Sequence, residues 1–92
     1  MTHKNQIVEI VKAGERRPTP FGVYRLGYDI VKLANGRYRM SVINGVEIFK
    51  GPETETIADA DAQGIAALWK TNRALARNLG LREATDEPEG RT

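Results

Sequence analysis

Ninety-two residues with a formal charge of +2, no cysteine and one histidine make one small domain with room for a single core. Disulfide frameworks, thiolate chemistry and Cys/His metal centres are excluded, and no apolar run is long enough to cross a membrane. The charge is segregated: residues 82–92 carry Glu83, Asp86, Glu87 and Glu89 against Arg82 and Arg91, about −2, leaving a body of about +4. A mildly basic body points towards an anionic partner. Without a signal-like apolar core at the N-terminus, the expected compartment is the cytoplasm. His3 lies near the terminus, where a solvated role is expected.

Residues 5–13 (NQIVEIVKA) place apolar side chains at 7, 8, 10 and 11, a short helical spacing, with Gly14 as a C-cap. The same β-branched residues suit a strand, and helix is preferred by a narrow margin. Residues 15–20 contain Pro18 and Pro20, which favour an extended loop displaying Arg16 and Arg17.

Residues 21–50 read as three β-strands punctuated by Asn35-Gly36 and Asn44-Gly45, a strong hairpin signal. A two-residue turn at the first pair sets Leu33 against Tyr38, Val31 against Met40 and Asp29 against Val42. That makes one apolar face and leaves Lys32, Arg37, Arg39 and Ser41 on the other. A three-residue loop at 43–45 aligns Val42 with Val46 and Met40 with Ile48. Gly22 and Gly27 interrupt the first strand and suggest a bend.

Residues 51–55 end the third strand, and from Thr56 the period becomes helical. Thr56 and Asp59 resemble a capping box, and Ala58, Ala62, Ile65, Trp69, Asn72, Ala76 and Leu79 share one stripe to about residue 79. Gly80-Leu81 fits a Schellman ending, and Trp69 is expected in the core. Gly64 costs about 1 kcal/mol relative to alanine and suggests close packing against a strand. The expected fold is α+β: a three-stranded antiparallel β-meander packed on one long C-terminal α-helix, with a short N-terminal element. One compact domain spans residues 1–81, and residues 82–92 form an acidic disordered tail.

Three basic groups are candidate partner-binding residues. Lys32, Arg37 and Arg39 lie on the sheet face away from the helix, joined by Arg25 and Lys50 near its ends. Lys70, Arg73 and Arg77 stripe the helix, and Arg16 and Arg17 occupy the loop. The arginine fork suits phosphate or carboxylate. The helix stripe also follows the macrodipole, acids early and bases late, and needs no ligand. The open sheet face is harder to explain without a partner, because a single layer leaves it uncovered. Tyr24, Tyr28 and Phe49 either flank these arginines or complete the core. Asp29 and Glu47 can converge across the sheet, but no cleft or acid–base motif accompanies them, and Glu47 can instead neutralise Arg39. No enzymatic activity, metal or cofactor is expected.

The segment GRYRMSVINGVEIFKGPETETIADADAQGI, following a first strand, resembles the three-strand-plus-helix unit of AP2-type and integrase arm-type DNA-binding domains. That resemblance implies a sheet face that enters duplex DNA, although apolar and aromatic readers are few here. In its length, lack of cysteine and compact meander-plus-helix plan with basic loops, the chain also resembles the small phage-encoded anti-CRISPR proteins directed at type I-F surveillance complexes. This second resemblance implies a monomeric stoichiometric inhibitor in the host cytoplasm. Such an inhibitor binds Cas subunits and guide RNA and blocks hybridisation of target DNA. No shared motif assigns a role to any residue.

Overall fold

The structure, a computed structural model, describes residues 6–82, so His3 and nearly all of the expected acidic tail lie outside the described residues. One antiparallel sheet is built from β1 (Ile7–Lys12), β2 (Glu15–Thr19), β3 (Gly22–Leu33), β4 (Tyr38–Asn44) and β5 (Val46–Lys50). Two helices follow, α1 (Ile57–Thr71) and α2 (Arg73–Asn78). The long β3 is the axis of the sheet. Its C-terminal half pairs with β1 and its N-terminal half with β2, so β1 and β2 lie end to end along one edge. On the other side β3 pairs with β4, and β4 with β5.

The expected three-stranded meander is therefore the second half of a five-stranded sheet. Residues 7–12 form a strand, not a helix. The pairs Ile7↔Leu33, Glu9↔Lys32, Ile10↔Val31 and Lys12↔Ile30 leave Val8 and Val11 as extra residues at two irregularities. Those insertions reproduce the 7, 8, 10, 11 spacing of a helix while the chain stays extended. Residues 15–19, expected as a loop, form β2 through five pairs with β3. Pro18 is tolerated because β2 is an edge strand that needs no outward donor.

Both hairpin registers differ from those expected. Between β3 and β4 the connection holds three residues, Ala34-Asn35-Gly36, closed by Leu33 N–H donating to the Arg37 carbonyl (2.8 Å). Gly36 takes φ +86°, the left-handed residue of a turn-plus-bulge loop. The register moves by one, to Tyr28↔Val42, Ile30↔Met40 and Lys32↔Tyr38. In the second hairpin Gly45 (φ +79°) alone separates the pair Asn44↔Val46, and an irregularity then sets Val42 against Phe49. A one-residue slip exchanges the faces of a strand. Leu26, Tyr28 and Ile30 consequently face the helices, and Asp29, Val31 and Leu33 face the other way.

The helix ends are as expected, but the helix is not continuous. The Thr56 side chain accepts a hydrogen bond from Asp59 N–H (3.1 Å). Leu81 N–H donates to the Ala76 carbonyl (3.1 Å) and Gly80 N–H to that of Arg77 (3.0 Å), a Schellman ending. The break falls at Asn72, whose side-chain oxygen accepts from Leu75 N–H (3.3 Å) and so caps α2. Asparagine competes with the backbone for such bonds, which makes it a natural interruption.

The core joins Leu26, Tyr28, Ile30, Met40 and Val42 of the sheet to Ala60, Leu68, Trp69, Leu75 and Ala76 of the helices. Trp69 is the core anchor expected of it. Gly64 is buried over the Tyr28 ring: a Cβ there would stand 2.6 Å from Cε2 and 2.8 Å from Cγ.

Candidate functional site

Residues paired across an antiparallel sheet share a face, and alternation carries that face along each strand. The face opposite the helices therefore holds Arg25, Asp29, Val31 and Leu33 of β3 with Arg39, Ser41 and Ile43 of β4. Their partners add Ile7 and Ile10 from β1, Arg16 from β2, and Glu47 and Lys50 from β5. At its centre Leu33, Val31 and Ile43 are 0%, 5% and 5% exposed, yet none belongs to the cluster that joins sheet and helices. Ile7 and Ile10 beside them are about half exposed.

The cations around this centre differ in their commitments. Asp29 is buried, accepts a hydrogen bond from Gly14 N–H (2.7 Å) and is ion-paired with Arg25. Arg16 sits directly opposite Arg25, and the Asp29 carboxylate moderates that like-charge pair. Arg37, at the β3–β4 turn, lies 3.4 Å from Glu53 and 3.6 Å from Glu55. Arg39 is half-buried, and its Nε is enclosed with no hydrogen-bond acceptor among the described residues.

The other candidates are elsewhere. Lys32 pairs with Glu9 and Tyr38 on the helix side, a correction that follows from the register. Arg17 lies opposite Tyr24 on that same side and is ion-paired with Glu15 (3.0 Å). The guanidinium groups of Arg73 and Arg77 stand 5.5 and 5.9 Å from the centre of the Trp69 ring, a cation–π arrangement that gives this stripe a packing role. Lys70 lines a groove of about 400 Å³ between α1 and β5, with Met40, Phe49, Pro52 and Ala67.

A second constellation was invisible in the sequence. Lys12 Nζ donates to Asp61 Oδ1 (2.7 Å) and to the Tyr28 hydroxyl (2.8 Å), and that hydroxyl donates to the same Asp61 oxygen (2.6 Å). The ammonium also lies 4.8 Å from the centre of the Tyr28 ring. Lys12 and Tyr28 border a cleft of about 320 Å³ closed by Leu79 and Leu81. Nothing in the separations between residues 12, 28 and 61 signals this meeting, which needs β1, β3 and α1 in place.

Partial burial disfavours the Asp61 carboxylate, but the bonds from Lys12 and Tyr28 outweigh it and hold its pKa below the ordinary 3.8. Burial likewise opposes the Lys12 ammonium, and its bonds to Asp61 and Tyr28 raise its pKa above 10.5. Burial, then the bond to Asp61, raises Tyr28 above 10.0. A depressed carboxylate contributes stability that is lost as pH falls through its folded pKa. Raised groups contribute stability that is lost as pH rises through theirs. Thermal melts are expected to show a plateau between about pH 4 and pH 10 with a fall on either side. In Asp61→Asn the acid-side loss should shrink. An unchanged acid limb in that variant would remove Asp61 from the account.

Among the described residues no cluster of three or more His, Asp or Glu could hold a metal ion. No described helix is long and apolar enough to cross a membrane. No family model, curated protein or solved structure matches the chain, and the geometry of the sheet face is therefore the basis for a functional reading.

Proposed function

We propose that the protein is a non-catalytic inhibitor that docks through the helix-free face of its sheet onto the Cas subunits and guide RNA of a type I-F surveillance complex, blocking hybridisation of target DNA. The observation that supports docking is the composition of that face. Its exposed apolar surface, Ile7 and Ile10 above the buried Val31 and Leu33, lies on the same face as Arg16, Arg25, Arg39 and Lys50. Protein interfaces combine an apolar centre with arginine anchors in this way. A face that tracks duplex phosphates would keep its cations available. Here Arg25 is held by Asp29 and Arg37 by Glu53 and Glu55. The choice of target rests on the resemblance drawn from the sequence.

Arg39 is the anchor of this reading, because its half-buried side chain lies on that face opposite Val31 and has no ion pair among the described residues. Binding is measured by titrating purified protein against a type I-F guide-RNA complex and, separately, naked duplex DNA at near-physiological salt. Tight capture by the complex, loss of target-DNA binding, and a weakening of about thirtyfold or more in Arg39→Ala, as for an interface hot spot, are expected. Arg39→Ala should melt within a few degrees of the parent protein. Salt-sensitive duplex binding without effect on the complex would sink the proposal and favour an AP2-like DNA-binding module.

A further inference from the structure

The two edges of the sheet are not equivalent. Along one, β2 carries Pro18 beside Arg16 and Arg17, which discourages strand addition, and β1 carries two irregularities where β5 carries one. The other edge is β5, VEIFK, in which all five residues are exposed, with Val46, Ile48 and Phe49 at 70%, 49% and 48%. Among the described residues no strand pairs with its outer side. An exposed apolar edge without proline is a template for pairing.

We propose that this edge binds a second copy of the chain, β5 against β5 in antiparallel register about a two-fold axis between Ile48 and Phe49. The charges specify the occupant. In that register Glu47 of each copy stands directly opposite Lys50 of the other, so the symmetry makes two complementary pairs from one strand. Residues three apart on a regular strand point to opposite faces. The irregularity in β5 instead places Glu47 with Ile43 and Lys50 with Ser41, both on the arginine-bearing face. Each pair can therefore close on one side of the seam. Phe49, paired with Val42, lies on the helix side beside the groove it shares with Met40, Pro52 and Ala67. The second copy's β5 extends that side and covers the groove. A two-fold axis normal to the sheet keeps all helices on one face and joins the two arginine-bearing faces into one surface. This departs from the monomer expected from sequence. It is independent of the target proposed above, because it concerns the protein alone.

Sedimentation of the full chain over ~1–100 µM tests it, a range in which a dimer of modest affinity dissociates. Glu47→Lys and Lys50→Glu, each placing like charges across the seam, should both weaken dimerisation about tenfold, despite changing net charge in opposite directions. The double variant Glu47→Lys/Lys50→Glu should return to within about threefold of the parent. Both positions are exposed, and unchanged melting of diluted samples shows that the fold is intact. A parent protein monomeric throughout, single variants without effect, or a double variant that fails to recover would each overturn the proposal. A dimer indifferent to these changes but split by Ile10→Lys would place the contact on the β1 edge and overturn it as well.

Discussion

Replacing Gly14 with alanine is expected to lower stability by about 3 kcal/mol or more, a drop in Tm of roughly 12–24 °C for a chain of this size. Gly14 sits at the corner where the edge passes from β1 to β2. A Cβ there would overlap the Leu26 carbonyl oxygen and lie 3.2 and 3.3 Å from the Tyr28 nitrogen and oxygen. These are backbone atoms of the central strand, already committed to the sheet, and no rotamer change moves them aside. Gly14 N–H also donates to the buried Asp29 carboxylate, so displacement of the corner leaves that carboxylate with one partner fewer. A loss this large is a substantial share of the ~5–15 kcal/mol typical of a whole domain. The check is a thermal and urea melt of Gly14→Ala beside Ala13→Ser, the exposed neighbour, which should melt like the parent. A Gly14→Ala protein within about 1 kcal/mol of the parent would mean that β1 and β2 can separate from β3 at little cost.

The second large effect is at Gly64, where two forces oppose each other. Helix propensity favours alanine over glycine by about 1 kcal/mol, so an exposed glycine at this point of α1 would be improved by substitution. Gly64 is buried against the Tyr28 ring, at distances no real Cβ occupies. The ring cannot swing away freely, because its hydroxyl is fixed by Asp61 and Lys12. Overpacking outweighs propensity: Gly64→Ala should destabilise by about 1–2 kcal/mol and Gly64→Val by about 3 kcal/mol. A double-mutant cycle checks the cause. Removing the ring with Tyr28→Ala should make the Gly64 substitutions at least ~1 kcal/mol less harmful than in the parent. A stabilised Gly64→Ala would show that the ring moves aside and that the Lys12–Tyr28–Asp61 cluster does not hold it.

A one-residue difference in register decides which side chains reach the candidate site. The sequence pattern puts both Arg39 and Lys32 on the open face; Arg39 lies there, and Lys32 lies on the helix side, because the β3–β4 loop holds three residues instead of two. Both loops contain Asn35-Gly36: the two-residue turn needs positive φ at both residues, which asparagine tolerates, and the three-residue loop needs it at Gly36 alone, so the local sequence does not choose between them. The choice is made by burial. The observed register puts Tyr28, Ile30, Met40 and Val42 together under the helices, whereas the expected one would have put Asp29 there.

The chain by itself determined whatever depends on neighbours in sequence. The Thr56 cap, the Schellman ending at Gly80-Leu81 and the helical stripe carrying Trp69 rest on interactions spanning a few residues. The α+β class and the antiparallel hairpins at Asn35-Gly36 and Asn44-Gly45 were legible for the same reason. Only the tertiary structure decided that residues 7–12 and 15–19 are strands, since each needs β3 as a partner, and bulged β-branched residues imitate a helical spacing. It also decided which side of β3 is buried, and it brought Lys12, Tyr28 and Asp61 together from separate elements. Strand pairing over long separations satisfies backbone groups and buries side chains that no local window contains, and for that reason these features appear only when the whole sheet is assembled.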